Sequence, residues 1–438
     1  MNAATNAVPG WRWAPAWVIA FVALWPAPGY AEGVLVLGAL AGLYKLVSSR
    51  FRGGAALLSG PAWALTSVLF FAYWLPQLLS APDALDRGRA LQEALIDLRY
   101  LPFLWVVASA VANEEGRRRT FGGLAIIVTV WTVDALLEAA TGTSPLFWTL
   151  DQAKQAISGH GMCTAEEVAA ADRLGGILGP CNLKLGIVLA SLSPFALDAA
   201  QRRAGRTGWL AMAVALGIAI MLAGSRASWL TYALVLAWTG WRLLGWKRML
   251  VMLLAGALSL GLAALVSPPL GERLQRTTEA FTGDAAGVDH ALSGRARIWS
   301  AASCMIRTHP VNGVGARGFR EAFPACDPEP GEIAAWGTGV ALHAHQIVLE
   351  VLSETGVLGL LLWLAGAALA WRAWRYAAPR AREDARPAML ALAVSVFPLN
   401  THLAAYSTFW GSVLLLLAAL YAGTLWGRGD GVATTAQP

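Results

Sequence analysis

A polar loop meets an apolar helix in the stretch LHAHQIVLEVLSETGVLG, which covers residues 342–359. Two histidines, His343 and His345, stand just before a mostly apolar run that continues to residue 371. An imidazole can take up a proton near neutral pH. The stretch therefore predicts a long membrane helix with a titratable group at the membrane surface, within reach of a lipid-borne substrate.

Apolar residues dominate the whole chain. The residue types AVILMFWYC make up 57% of it and DEKR only 14%, against roughly 25% charged residues in an average soluble domain. Most apolar runs approach the ~20 residues that a membrane-spanning helix needs. We therefore predict an all-α polytopic membrane protein of about twelve transmembrane helices, at residues 15–31, 33–48, 62–82, 94–112, 120–141, 182–198, 208–224, 227–244, 249–267, 346–371, 387–404 and 408–425.

The cations predict how these helices are oriented, because short loops rich in lysine and arginine stay in the cytoplasm. With both termini in the cytoplasm, the cytoplasmic cations are Arg50, Arg52, Arg117, Arg118, Arg119, Arg202, Arg203, Arg206, Arg242, Lys247, Arg248, Arg372, Arg375, Arg380, Arg382 and Arg386. Topology then explains most of the net charge of +6, so we predict membrane lipids and no nucleic acid as partners.

Two long segments fall on the opposite, periplasmic side, and the six histidines lie there or at its membrane boundary: His160, His290, His309, His343, His345 and His402. The predicted units are transmembrane helices one to five (1–141), a first periplasmic segment (142–181), transmembrane helices six to nine (182–267), a large helical periplasmic loop (268–345), transmembrane helices ten to twelve (346–426) and a cytoplasmic tail (427–438).

All four cysteines fall in the two periplasmic segments, where an oxidising environment favours disulfides. Four cysteines allow three pairings. We predict the pairing that closes the shortest loops, Cys163 with Cys181 and Cys304 with Cys326. The alternative is four free thiols packed as small apolar residues.

Some charged residues have no topological explanation. Arg226 lies in the short turn Gly224-Ser225-Arg226-Ala227-Ser228 on the periplasmic side, where arginine is disfavoured. Its planar set of donors matches phosphate oxygens, which favours a site for an anionic head group; a guanidinium that reaches lipid head groups is the alternative. Arg295 in the large loop and Arg99 at the periplasmic end of a span are similar candidates. Two carboxylates within a span, Asp134 and Glu138, are expected to pair with Arg99 or Lys184.

Four sequence blocks carry a family resemblance. In chain order they are Arg173 with Gly179-Pro180-Cys181-Asn182; Gly224-Ser225-Arg226; Ser293-Gly294-Arg295 with Ile298-Trp299, His309-Pro310-Val311-Asn312-Gly313-Val314-Gly315 and Gly318-Phe319; and His345-Gln346 with Leu349, Glu354, Gly356 and Gly359. Together they resemble the O-antigen ligase and polymerase superfamily of bacterial inner-membrane glycosyltransferases. The blocks span about 180 residues, and the first five spans agree with the family only in hydropathy. Gln346 stands where asparagine is commoner and keeps the amide group.

The resemblance implies a GT-C-like fold and a transferase at the periplasmic face of the Gram-negative inner membrane. The donor would be a glycan on undecaprenyl diphosphate and the acceptor, in ligases, a sugar hydroxyl of lipid A-core, joined with inversion and without a metal or other cofactor. His345 would be the base, since a positioned imidazole contributes about 10²- to 10⁴-fold in rate. The candidate diphosphate-binding residues are Arg226, Arg295, Arg173 and Arg99, and the supporting residues are His343, Gln346, Ser225, Trp299, His309 and Glu354.

Residues two positions apart on a helix point to different sides, so we expect only one of the two histidines to face the site, and the motif favours His345. The alternative is that both only cap the helix. His343 and His345 have a spacing that can hold a transition metal, but no third ligand follows at a recognisable spacing. An acidic metal site in the first external loop has only Glu32 to offer.

Three other activities stay open at this point. An O-antigen polymerase uses a second lipid-linked glycan as acceptor, and a protein O-oligosaccharyltransferase uses a hydroxyl of a folded protein. A secondary transporter of this size is expected to have internal repeats and polar groups near the bilayer midplane, and neither is clear in this sequence.

Overall fold

The computed structural model describes residues 11–51, 56–171, 173–266, 271–272, 275, 295–331, 339–399, 401 and 403–427. His290, His402 and Ser293-Gly294 of the predicted motif lie outside these ranges. Within them the chain is helical, as predicted. The α-helices are α1 (Ala14–Ala23), α2 (Pro28–Phe51), α3 (Gly60–Ser80), α4 (Arg87–Asp97), α5 (Tyr100–Ala110), α6 (Glu114–Thr141), α7 (Pro145–Ser158), α8 (Ala165–Ala169), α9 (Leu185–Leu222), α10 (Arg226–Leu244), α11 (Trp246–Val266), α12 (Arg295–Thr308), α13 (Phe319–Cys326), α14 (Ile347–Tyr376), α15 (Pro379–Ser395) and α16 (Thr408–Trp426).

Six helices among the described residues are long and apolar enough to cross a membrane: α2, α3, α6, α9, α14 and α16. The sequence predicted about twelve spans, and three of them correspond to helices shorter than a bilayer needs. These are α1 with 10 residues, α5 with 11 and α15 with 17. Pro26 lies between α1 and α2, and Pro28 is the first residue of α2. Proline cannot donate the hydrogen bond that a continuous helix requires, so the two helices stay separate.

One long helix, α9, joins two of the predicted spans. Its 38 residues are interrupted at Ala204 and Gly205, and Gly205 has a φ of 60°. Glycine reaches this left-handed region at little cost, so the helix changes direction there. The arms on either side correspond to the predicted spans 182–198 and 208–224.

One face of the molecule collects cations that the sequence assigns to the cytoplasm. Arg117 at the start of α6 pairs with Asp384 (2.9 Å), and Arg242 at the end of α10 pairs with Glu383 (3.2 Å). Both acids lie in the first turns of α15, so the ends of these three helices meet. We call this the arginine-rich face, formed by Arg117, Arg202, Arg242, Arg380 and Arg386.

The opposite face carries both disulfides. With 28 residues at about 1.5 Å per residue, α6 is long enough to reach it. Cys163 is bonded to Cys181, and Cys304 to Cys326, which confirms the predicted pairing. The second disulfide joins α12 to α13, and these helices share a small apolar core of their own, made of Ile298, Ala301, Ala302, Met305, Val314, Phe319, Ala322, Phe323, Ala341 and Ala344.

The centre of the helical bundle is α16. Nearly all of its residues from Trp410 to Leu425 are buried, as expected for a helix that is apolar on every side. It packs against α3, α5 and α15. The segment just before α16 is anchored by a hydrogen bond that Tyr73 Oη donates to the carbonyl of Ala405 (3.0 Å). This segment supports the candidate site.

Candidate active site

The helix that follows the two histidines is broken. Within α14, Gly356 has a φ of 66°, and the loop 309–315, which we call the His-Pro loop, docks into the break. Four backbone hydrogen bonds fasten it: Val314 N–H to Ser353 O (2.9 Å), Gly315 N–H to Glu354 O (3.0 Å), Val357 N–H to Pro310 O (2.9 Å) and Leu358 N–H to Val311 O (3.1 Å). The loop therefore pairs backbone groups that the break releases from the helix.

Glycines make this docking possible. A Cβ on Gly356 would lie within 2.4 Å of the backbone of Val311 and Asn312, and a Cβ on Gly313 within 2.5 Å of the backbone of Glu354. Both glycines also have positive φ, 66° and 70°. These motif glycines allow the backbones of the His-Pro loop and α14 to approach each other closely.

A network of hydrogen bonds and an ion pair stabilises the break in α14. Glu354 is 2% exposed and accepts a hydrogen bond from the N–H of Arg317 (2.7 Å). The Arg317 side chain donates to the carbonyl of Tyr406 (2.6 Å) and to Thr408 Oγ1 (3.2 Å), and it forms an ion pair with Glu93. Glu354, predicted as a supporting residue, thus holds the backbone of Arg317, which follows the His-Pro loop.

Two members of this network were missed in the sequence. Glu350 is 1% exposed and accepts a hydrogen bond from the N–H of Tyr406 (3.3 Å). Arg317 carried one signal, because it is a lone cation between the motif glycines Gly315 and Gly318. Its several partners come from distant parts of the chain, so their identity is not visible in the sequence.

The two histidines precede the helix, which begins at Ile347. Their ring centroids are 3.9 Å apart, so the expectation that they point to different sides was wrong, because it assumed a helical segment. His345 has a φ of 54°, a region that costs a non-glycine residue about 1–3 kcal/mol. The surrounding contacts must hold His345 in this conformation.

Hydrogen bonds on both sides fix this segment. Trp299 Nε1 donates to the carbonyl of Ala344 (3.0 Å). Gln346 Oε1 accepts from the N–H of Leu349 (2.6 Å), and its amide nitrogen donates to the carbonyl of Pro398. Gln346 is therefore the residue that caps α14, and Trp299 positions the histidines from α12.

Three of the four predicted diphosphate-binding arginines interact electrostatically. Arg295 and Arg226 are the first residues of α12 and α10, and Arg173 lies in the loop before α9. Burial and the positive charges of Arg226 and Arg173 lower the pKa of Arg295 to about 10, so it stays cationic at neutral pH. We call these residues with the two histidines the cationic site: Arg173, Arg226, Arg295, His343 and His345.

The cationic site changes the acidity of His345. Burial, His343 and Arg295 together lower the pKa of His345 to about 2, because each disfavours the charged imidazolium. His345 is therefore neutral at physiological pH, with a lone pair that can accept a proton. It is a weak base until an anion offsets the positive charge around it.

The fourth arginine, Arg99, lies in a different environment. It forms an ion pair with Glu32 (2.9 Å), which lies in the first turns of α2 and not in a loop as the sequence suggested, and its guanidinium lies 4.8 Å from the centre of the Tyr100 ring. A role for Arg99 in binding a substrate stays a prediction.

The structure distinguishes the two arginines of the sequence Gly294-Arg295-Ala296-Arg297. Arg297 donates two hydrogen bonds to the carboxylate of Asp327 (2.7 and 2.6 Å), which hold the pKa of Asp327 below its usual value. Arg297 thus ties α12 to the end of α13, whereas Arg295 belongs to the cationic site. The other predicted supporting histidine, His309, shares a hydrogen bond with Thr308 (3.0 Å).

The two carboxylates in α6 bind segments that follow the helix in the chain. Asp134 accepts a hydrogen bond from Ser144 Oγ (2.7 Å), and Glu138 accepts one from the N–H of Gly176 (2.6 Å). The pairing with basic side chains that the sequence suggested was wrong, because backbone and hydroxyl donors occupy these carboxylates.

Groups of three or more histidines, cysteines or acids that could hold a metal ion are absent from the described part of the chain. Two acids that could serve such a site have other contacts there. Asp83 accepts a hydrogen bond from Asn312 Nδ2 (2.6 Å), and Asp86 caps α4 by accepting from the N–H of Arg89 (3.0 Å).

A family match covers most of this site. Residues 210–364 match the family model described as O-antigen ligase, a range that contains the His-Pro loop, both histidines, Arg226 and Arg295 but not Arg173. No curated protein matches the chain. This match over residues 210–364 supports the resemblance to the O-antigen ligase and polymerase superfamily.

Proposed function

We propose that this protein is an O-antigen ligase, which transfers O-antigen polysaccharide from undecaprenyl diphosphate to a sugar hydroxyl of lipid A-core. The family match supports a glycosyltransferase-like activity on O-antigen. The observation that carries the mechanism is the grouping of His345 with Arg173, Arg226 and Arg295, because a base and a set of phosphate-binding cations are the two groups that this reaction needs.

In the proposed reaction, the acceptor oxygen attacks the anomeric carbon of the donor sugar from the side opposite the diphosphate. His345 takes the proton from the acceptor hydroxyl as the new bond forms. The bond between the anomeric carbon and the diphosphate oxygen breaks, and the electron pair leaves with the diphosphate. The product is inverted at that carbon, and the three arginines stabilise the charge of the leaving group.

The low pKa of His345 in the free enzyme gives the donor a second role. The diphosphate of the donor is anionic, and its binding among the arginines offsets the positive charge that disfavours the imidazolium. Donor binding therefore raises the pKa of His345 and makes it a stronger base. The base gains strength only when a sugar is in place to receive the nucleophile.

The arrangement favours a site on the periplasmic side. The histidines lie at the start of α14 and Arg226 at the start of α10, whereas the arginine-rich face lies at the other end of α10. Short arginine-rich loops favour the cytoplasm, and the two disulfides near the candidate site suit an oxidising compartment. Both observations support a donor glycan and an acceptor on the periplasmic side of the inner membrane.

The experiment that tests the ligase assignment is genetic. Loss of the gene should leave lipid A-core without O-antigen while full-length glycan accumulates on undecaprenyl diphosphate. Core capped with a single repeat unit would instead show a polymerase, and unchanged lipopolysaccharide with a missing protein glycan would show a protein O-oligosaccharyltransferase. Complementation with wild-type protein and failure of His345→Ala to complement tie the phenotype to the cationic site.

A further inference from the structure

A polar cavity of about 450 Å³ lies at the arginine-rich face, between α9, α10 and α15. α10 carries Arg226 at one end and Arg242, which lines the cavity, at the other. At about 1.5 Å per residue, these two positions are roughly 24 Å apart along the helix axis. The cavity is therefore separate from the cationic site, and nothing in the proposed transfer reaction uses it.

Three arginines and two acids line this cavity: Asp198, Arg202, Arg242, Glu383 and Arg386. Arg202 pairs with Asp198 (2.7 Å), while Glu383 is shared between Arg242 (3.2 Å) and Arg386 (2.6 Å). Three cations against two anions leave one positive charge. Because a guanidinium carries five N–H donors, the arginines have more donors than these two carboxylates can engage.

A buried tryptophan adds an independent observation. Trp209 lines the cavity and is fully buried. Its indole Nε1–H has no hydrogen-bond partner among the described residues. A buried donor without an acceptor is costly, and an anion in the cavity would supply the acceptor.

The surroundings favour an anion that belongs to the membrane. Trp238 lines the cavity and is 54% exposed, and Trp241, on the same helix, is 63% exposed. Exposed tryptophans of membrane proteins concentrate at the level of the lipid head groups. Basic pockets between membrane helices at this level suit anionic lipid head groups.

We propose that this cavity binds the phosphodiester head group of an anionic phospholipid. The indole of Trp209 and the guanidiniums of Arg242 and Arg386 donate to the phosphate oxygens, an arrangement that the planar arginine fork suits. The acyl chains lie along the exposed side of Trp238. The single excess positive charge of the lining matches the single negative charge of a phosphodiester. The proposal does not depend on the transferase activity.

Native mass spectrometry of the purified, delipidated full-length protein tests this directly. Titration with phosphatidylglycerol should show one tightly held lipid. Trp209→Phe, which removes only the N–H donor, and Arg386→Gln should each weaken its binding by about tenfold, the effect expected for a lost hydrogen bond to a charged group. Thermal unfolding of each variant without lipid checks that the fold is intact.

Matched controls come from the same helices. Arg203→Gln in α9 and Trp241→Phe in α10 change exposed residues that do not line the cavity, and they should leave binding unchanged. Equal weakening in these controls, or unchanged binding in Trp209→Phe and Arg386→Gln, would overturn the proposal. Inorganic phosphate or phosphatidylcholine that competes as well as phosphatidylglycerol would overturn the assignment to an anionic lipid.

Discussion

The His-Pro loop and all of the cationic site except Arg173 lie in the matched family region, yet the two differ in their electrostatics. Around the loop, backbone groups are paired across the break in α14, and Glu354 binds the chain at Arg317. In the cationic site, like charges are brought together, and the pKa values of both Arg295 and His345 are lowered. Stability alone does not explain such a concentration of positive charge, so we propose that the loop is a scaffold and that the cationic site carries the chemistry.

The largest effect is expected from removal of the base. His345→Ala should reduce glycan transfer by about 10²- to 10⁴-fold, because no group remains to take the acceptor proton. His345→Gly should be equally inactive and at least as stable as wild type, since glycine accepts the positive φ without strain. Transfer by purified protein and thermal unfolding measure the two effects.

His160→Ala is the matched control, because His160 is an exposed histidine between α7 and α8; it should keep wild-type transfer. Near-normal turnover by His345→Ala would contradict the assignment. Loss of transfer in His343→Ala alone would move the role of base to His343.

The next largest effect is expected from the arginines of the cationic site. Arg226→Lys and Arg295→Lys should each lose about 10²-fold in transfer, nearly as much as the alanine variants, because lysine keeps the charge but not the two-pronged donor geometry. Initial rates with purified enzyme measure this. Arg307→Lys, at an exposed position of α12, should have no effect. If lysine restores most activity at both sites, charge attraction alone is sufficient.

The scaffolding region should respond mainly in stability. Gly356→Ala places a Cβ against the backbone of Val311 and Asn312 at a positive φ, which should cost about 1–3 kcal/mol. Gly256→Ala, at a position of α11 with no neighbour near the new Cβ, should be neutral or slightly stabilising. Thermal unfolding in detergent compares them. Equal stability of the two variants would show that the docked loop contributes little.

The smallest effect is expected from chelation. Transfer by purified enzyme should continue undiminished in excess EDTA, because three arginines provide the charge that the leaving diphosphate needs. An otherwise identical reaction without chelator is the control. Loss of transfer, with rescue by Mg²⁺ or Mn²⁺, would mean that acids such as Asp83, Asp86 or Glu354 carry that role.

The sequence predicted the parts of this site better than their arrangement. Apolar runs predicted helices, and local spacing predicted both disulfides, because each depends on nearby residues. The break at Gly356 was not predicted, because its hydrogen bonds join residues 310–315 to residues 353–358. The different roles of Arg295 and Arg297 were also hidden, since they depend on where Asp327 lies in the fold.

We propose that His345 is the base of the reaction and that donor binding in the cationic site strengthens it. The pH dependence of transfer tests it most directly. The pKa of His345 is lowered to about 2, so its imidazole stays neutral until the pH falls to that value. The kinetic parameter kcat/KM for the donor reports the free enzyme. It should therefore show no acid limb from His345 between pH 5 and 8. With donor bound, the limb in kcat should move to higher pH. An acid limb near pH 6.5, the ordinary value for histidine, in both profiles would contradict the account.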